Sequence, residues 1–187
     1  MSIPQIGGDL IENNSQLTKF LENGSKAKPA WKIGTEHEKF VYNKRTSMPL
    51  PYEGPCSIES ILKELQILYD WRPIFESDHL IGLEKDGANV SLEPGGQLEL
   101  SGAPLETIHA TCNEASEHLN QVRTIAKKLG AGFIGLGAAP NWSEEVMPTM
   151  PKGRYALMTD YMKAIGELGT QMMYRTCTIQ VNLDFSS

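Results

Sequence analysis

The chain has 187 residues, enough for one domain or for one large part of a longer enzyme. Apolar residues make up 40% and charged residues 21%, a globular balance, and the net charge of −6 denies the chain the basic footprint that a phosphate backbone demands. No apolar run approaches the roughly 18 residues of a membrane span, so neither nucleic acid nor membrane is expected as a partner.

At the N-terminus, Met1-Ser2-Ile3-Pro4 leads into Asp9, Glu12 and Asn13, which is neither a basic n-region nor an Arg/Ser-rich transit peptide. Residues 9–23 then carry Leu10, Ile11, Leu17, Phe20 and Leu21 at helical spacing and stop at Asn23-Gly24. Trp31 to Tyr42 alternates as a strand does. Ser57 is an N-cap for a helix with Ile58, Ile61, Leu62, Leu65 and Leu68 on one face, and Pro73 ends that segment. Three short extended pieces follow, Leu80–Glu84, Ala88–Glu93 and Gln97–Ser101, split by Asp86-Gly87 and Pro94-Gly95-Gly96 as antiparallel hairpins are. The clearest helix runs over 105–129, with Lys127 and Lys128 in its last turn and Gly130 after it. Phe133–Leu136 reads as a buried strand, 153–168 as a helix and Tyr174–Phe185 as a final strand. No GxGxxG opens a helix. The expected class is α+β, a largely antiparallel sheet with helices packed on one face.

Side chains two apart on a strand share a face. Glu36 and Glu38 therefore project together; so do Gln97, Glu99 and Ser101, and so do Thr178, Gln180, Asn182 and Asp184. A solvated sheet face is the ordinary source of such rows. Three features speak for more. Glu36 and Glu38 repel one another unless a cation lies between them, the rows are poor in Lys, and Asn and Gln run against strand propensity. Clustered carboxylates and amides suit a hard divalent cation such as Mg²⁺. Glu93, at the mouth of the Pro94-Gly95-Gly96 turn, adds a fourth carboxylate, although an ordinary hairpin explains that turn equally well.

Lys152-Gly153-Arg154-Tyr155 opens a helix after Met150-Pro151, where backbone amides favour anions and Arg154 can fork a carboxylate or phosphate. A surface Arg in a first turn is the plainer alternative. Arg175, entering the last strand, carries the same two readings. His37 alternates to the face opposite Glu36 and Glu38 and is read as structural; His79, His109 and His118 lie apart, with no carboxylate at ligand spacing. Cys56, Cys112 and Cys177 are isolated, with no CxxC pair, which indicates a reduced, cytoplasmic protein. Cys112 and Cys177 fall on apolar faces and are expected to pack as small hydrophobes.

Four blocks then carry a resemblance: Gly34-Thr35-Glu36-His37-Glu38-Lys39-Phe40, Leu92 to Pro104, Met150 to Tyr155, and Arg175 to Phe185. In this order they closely resemble the plant and proteobacterial type of glutamate–cysteine ligase, over Trp31 to the last residue. The resemblance implies a glutamine-synthetase-like catalytic fold whose sheet forms a floor for ATP, L-glutamate and Mg²⁺. On the family pattern Glu36, Glu38, Glu93 and Glu99 are the catalytic, metal-holding carboxylates. Gln180 and Asn182 line the same floor and Arg154 and Tyr155 fall in the substrate-binding block; Gln97 and Arg175, read from the residues, join these as substrate-binding candidates. It further implies that ATP activates the γ-carboxylate of L-glutamate as a γ-glutamyl phosphate, which the amine of L-cysteine displaces. Alternatives are another ATP-dependent carboxylate–amine ligase of the same fold, or an inactive fragment that acts as a binding module. Members of that family are longer, so the rest of the nucleotide site and part of the cysteine pocket are expected beyond this sequence. The isolated chain is expected to be inactive, with a last strand whose open edge and exposed Ile179, Val181 and Leu183 invite self-association. Plant members carry a transit peptide that the opening residues do not resemble, so a bacterial cytoplasmic protein is expected.

Overall fold

A computed structural model describes residue 8 and residues 10–186. The chain forms α1 (Asn14–Asn23), β1 (Ile33–Asn43), α2 (Ile58–Tyr69), β2 (Arg72–Glu76), β3 (His79–Lys85), β4 (Ala88–Leu92) and β5 (Leu98–Ser101). It continues with α3 (Ile108–Leu129), β6 (Ala131–Ile134), α4 (Gly153–Ile165), α5 (Gly169–Arg175) and β7 (Ile179–Leu183). Among the described residues the strands make one seven-stranded sheet in the order β2-β3-β4-β5-β1-β6, with β7 also paired to β1. Every pairing is antiparallel. The α+β class and the antiparallel sheet are as the alternation and the turns predict.

β1 is the spine. Its eleven residues pair with β5 over Glu36–Lys39, with β7 over Ile33–His37 and with β6 over Phe40–Asn43. β6 and β7 thus lie end to end beside β1, and β5 takes its other edge. One face of the sheet carries Val41, Leu98, Leu100, Val90 and Leu83 against the apolar stripes of α2 and α3. Ser57 caps α2 by accepting from the Ser60 N–H, with Ser60 answering to the Ser57 N–H, and Ile58, Ile61, Leu62 and Leu65 are fully buried. α3 starts at its cap Thr107 and ends at Gly130 with φ +72, the left-handed turn that glycine adopts without a Cβ penalty. Each buried Leu or Ile contributes about 1.5–3 kcal/mol of transfer free energy, which makes this layer the main stabilising one. A smaller cluster on the other face packs Phe40 against Trp142, Met147, Met173, Tyr174 and Cys177, with the Phe40 and Trp142 rings edge to face at 5.7 Å.

The structure departs from the sequence reading in several places. Residues 174–185 are not one strand: Gly169–Arg175 is a helix, and β7 begins only at Ile179. Pro73 lies inside β2, an edge strand where its missing N–H costs no ladder bond. The N-terminal helix spans Asn14–Asn23, capped by Asn13, and buries none of its residues; Asp9, in the expected range, lies outside the described residues. The uncovered last strand, by contrast, is as expected: Ile179, Val181 and Leu183 are 70, 55 and 69% exposed. Cys112 is exposed and does not pack as a small hydrophobe, whereas Cys177 does. Among the described residues no helix is long and apolar enough to cross a membrane.

Candidate active site

The cross-strand register gathers the carboxylates. Glu38 lies opposite Glu99, and Glu99 opposite Ser91 on β4; Glu36 lies between Ser101 on β5 and Gln180 on β7. Glu99 is 3% exposed and held from both sides, since Ser91 Oγ donates to its Oε2 and Ser101 Oγ to its Oε1, each at 2.8 Å. The Thr178 N–H donates to Glu38 Oε2 at 2.9 Å. Asn182 Nδ2 and Gln180 Nε2 donate to Glu36 Oε1 at 2.9 and 3.1 Å. Glu93 reaches the group from the β4–β5 turn and shares a hydrogen bond with Glu99, which two ionised carboxylates cannot do.

Burial is the leading cause at this site, and like charge adds to it. The Glu93 carboxyl is pushed up to about 7 by desolvation and then by Glu99, against the pull of Lys152. Glu38 also rises by desolvation, which outweighs the Thr178 hydrogen bond, with Glu99 and Glu36 adding to the rise. The donors are all oxygens, the set a hard cation prefers. Among the described residues no three of the His, Cys, Asp and Glu side chains converge to hold a metal ion. Mg²⁺ commonly uses one or two carboxylates and completes its shell with water and substrate phosphates, so the touching Glu93–Glu99 pair fits it.

Beside the pair stands Lys152, 3% exposed, whose Nζ donates to the Leu92 carbonyl at 2.7 Å. Its ammonium is pushed down to about 8 by burial, although Glu93 and Glu99 oppose that shift. Tyr155 is buried, with its hydroxyl donating to the same Leu92 carbonyl at 2.5 Å, and Lys152 and Arg154 flank its ring at 5.2 and 5.0 Å. Arg154 also donates to the Tyr155 hydroxyl at 3.3 Å. The expected anion position at the start of α4 is taken: Gly153 N–H donates to Glu76 Oε1 at 2.7 Å.

Two expected substrate ligands are placed elsewhere. Gln97 is 1% exposed and spends its amide on backbone: Nε2 donates to the Thr176 carbonyl at 2.8 Å and its Oε1 accepts the Gly95 N–H at 2.9 Å. It ties the β4–β5 turn to the link between α5 and β7. Arg175 ends α5 and donates to Gln171 Oε1 at 2.5 Å, because the chain is helical where an extended row was expected. Glu36, Glu38, Glu93, Glu99, Gln180 and Asn182 do come together, and Arg154 and Tyr155 lie next to them through Lys152. Ser91 and Lys152 were overlooked. Counting back from the Pro94-Gly95-Gly96 turn puts Ser91 opposite Glu99, whereas nothing local to Lys152 signals its burial beside Glu93.

An antiparallel sheet with a carboxylate-lined face and a cationic turn beside it defines a class of acidic, oxygen-donor sites. Residues 32–187 match the family model described as glutamate-cysteine ligase family 2 (GCS2), and the chain belongs to that family. It is 50% identical over 171 residues to the chloroplastic glutamate–cysteine ligase of Brassica juncea, covering 91% of this chain and 33% of that protein. It is also 50% identical over 184 residues to the chloroplastic enzyme of Medicago truncatula, covering 96% and 36%, and 49% identical over 171 residues to that of Arabidopsis thaliana, covering 91% and 32%. The chain therefore spans about a third of the length of these relatives. The expectation of a cytoplasmic protein is overturned: these relatives are all named as chloroplastic.

Proposed function

We propose that this chain forms part of the catalytic floor of an ATP-dependent glutamate–cysteine ligase, on a glutamine-synthetase-like fold. The reading is supported by family membership and above all by one observation: Glu38 opposite Glu99, with Glu93 in hydrogen-bonding contact and Glu36 one pleat away. In the reaction a γ-carboxylate oxygen of L-glutamate attacks the γ-phosphorus of ATP and ADP leaves. The amine of L-cysteine then attacks the γ-carbonyl, phosphate leaves and the amine gives up a proton. Mg²⁺ bound here would supply neutralisation of the charge that gathers between phosphate and carboxylate oxygens.

The chain's own residues carry the rest. Glu93 and Glu99 are the first candidates to hold the ion, with Glu38 and Glu36 behind them, and Ser91 and Ser101 fix the Glu99 carboxylate so that it is already oriented. Gln180 and Asn182 orient Glu36 from β7. Lys152 and Arg154, both against the Tyr155 ring, offer positive charge to a substrate anion. Gln97 and Arg175 are assigned no contact with substrate. The plastid is the compartment that the relatives' names support.

The test is ADP release with L-glutamate, ATP and a panel of amines, run on this chain and on a chain of the relatives' length. The longer chain is expected to turn over with L-cysteine, and its Glu99→Gln variant to lose turnover while keeping its circular dichroism. An active Glu99→Gln variant at ordinary Mg²⁺ would overturn the metal assignment; equal rates with other amines would overturn the choice of L-cysteine.

A further inference from the structure

Away from the carboxylates, on the helix-covered side of the sheet, a cleft of about 380 Å³ opens between α3 and the turn joining β3 to β4. Trp71, Ala88 and Leu100 form an apolar wall, while Asp86, Glu114 and Glu117 set three carboxylates against the single ammonium of Lys85. Most of the polar groups are already matched. Lys85 Nζ donates to the Tyr69 carbonyl at 2.7 Å, Trp71 Nε1 to Gln121 Oε1 at 3.0 Å, and Gln121 Nε2 to Glu117 Oε1 at 3.3 Å.

Two groups are not. Glu114 Oε1 accepts the Ala103 N–H at 2.9 Å, but its Oε2 is buried without a partner among the described residues. His118, one helical turn further along α3 and 2% exposed, has no partner at either ring nitrogen. Buried polar atoms left unmatched cost free energy and call for an explanation. Gly102 accommodates the carboxylate, because a Cβ there would collide with Glu114 Oε2. Burial, with Lys39 and His37 adding to it, pushes His118 down to about 3, so its ring is neutral at ordinary pH and one nitrogen accepts.

We propose that this cleft binds a small organic ammonium compound, its apolar body against Trp71, Ala88 and Leu100 and its ammonium donating to Glu114 Oε2 and to the accepting nitrogen of His118. The excess of carboxylates selects the charge and the wall selects a short hydrocarbon body. The site lies on the other face of the sheet from the carboxylate floor and stands whether or not the ligase reading does.

The probes are n-butylammonium, n-butanol and butyrate, titrated into the ¹⁵N-labelled chain and followed at the Trp71 indole N–H and the Gly102 and Ala103 amides. Saturable shifts are expected with n-butylammonium, at least about tenfold weaker binding with the alcohol, as the loss of a charge-assisted hydrogen bond implies, and none with butyrate. Glu114→Gln should erase the preference for the cation. Asp86→Asn, conservative at a residue with φ +50, should weaken n-butylammonium severalfold and provides the same test if Glu114→Gln does not fold. No saturable shift with n-butylammonium, equal binding of the alcohol, or unchanged affinity in the variants that fold would each overturn the proposal.

Discussion

Glu36 and Glu38 leave β1 on one side of the sheet, His37 and Lys39 on the other, and the two sides handle charge differently. Burial is the leading cause of perturbation on both. On the carboxylate side it pushes Glu38 up, and Glu93 to about 7, and neighbouring carboxylates add to the rise. On the helix side it pushes His37 down, Lys39 to about 8 and His118 to about 3. Cys177, and after it Glu99 and Glu38 from the carboxylate side, oppose the fall at Lys39, so the two sides are coupled at β1. One side thus accumulates like charge that a cation would relieve, while the other drives its imidazoles toward neutrality beneath packed apolar helices. The first arrangement is costly for folding and useful for binding oxygen-rich ions; the second is what a stable layer needs.

That contrast is broken most directly by cutting each side at neighbouring residues of β5. Leu98 is fully buried against the helices, so Leu98→Ala is expected to cost about 2–5 kcal/mol by urea denaturation. Glu99→Gln, one residue on and facing the other way, should cost far less, because removing one of several repelling carboxylates offsets the lost hydrogen-bond geometry. Equal losses would show that the carboxylate side is as important to stability as the core. Gln97→Leu should fall between them at about 1–3 kcal/mol, since it strips partners from the Thr176 carbonyl and the Gly95 N–H; faster hydrogen exchange at Gly95 is the accompanying sign.

The division into two sides was largely legible in the sequence, because alternation is a local rule. Period two on β1, β5 and β7 separates the polar rows from the apolar ones without knowledge of the fold. Ser57 and Gly130 marked helix ends through chemistry contained within a few residues. What failed was non-local. The chain from Gly169 to Arg175 lacks a capping side chain at its start and is helical because Met173 and Tyr174 are buried against Phe40 and Trp142, which are remote in sequence. Gln97 resembled a ligand because the carbonyls that its Nε2 meets lie 76 to 79 residues away. Glu114 lies four residues before His118, a spacing that α3 brings onto one face; what is non-local is the burial that leaves Glu114 Oε2 and the His118 ring without partners among the described residues.

A pH series separates the two sides by sign. Glu93 holds its proton more tightly folded, at about 7, than its ordinary 4.5, so its stabilising share is whole below 4.5 and lost as pH rises through 7. His118 runs the other way: at about 3 folded against 6.5, the unfolded chain binds the proton first, and stability rises with pH across that interval. Between 4.5 and 6.5 the two slopes oppose each other in the wild-type chain. Glu93→Gln removes one of them. The variant should match wild type at low pH, climb more steeply through that window and be more stable by roughly 1–3 kcal/mol once Glu93 would be ionised. A variant that tracks wild type at every pH would contradict a perturbed Glu93.

The smallest effect is expected where a charge pair lies outside both environments. Lys128, in the last turn of α3, donates to both carboxylate oxygens of Glu64 on α2 at 2.7 Å, with the two side chains 58 and 15% exposed. The geometry is better than that of most surface pairs, yet solvent competes for the Lys ammonium and two long side chains are immobilised to keep the contact. A double-mutant cycle with Glu64→Gln and Lys128→Met should give a coupling of about 0.2–1 kcal/mol, shrinking as salt is added. If the coupling instead matched the loss from Leu98→Ala and ignored salt, charge would count as much on the solvated rim of the helices as apolar burial does beneath them, and the division between the two sides of the sheet would not be the organising feature of this molecule.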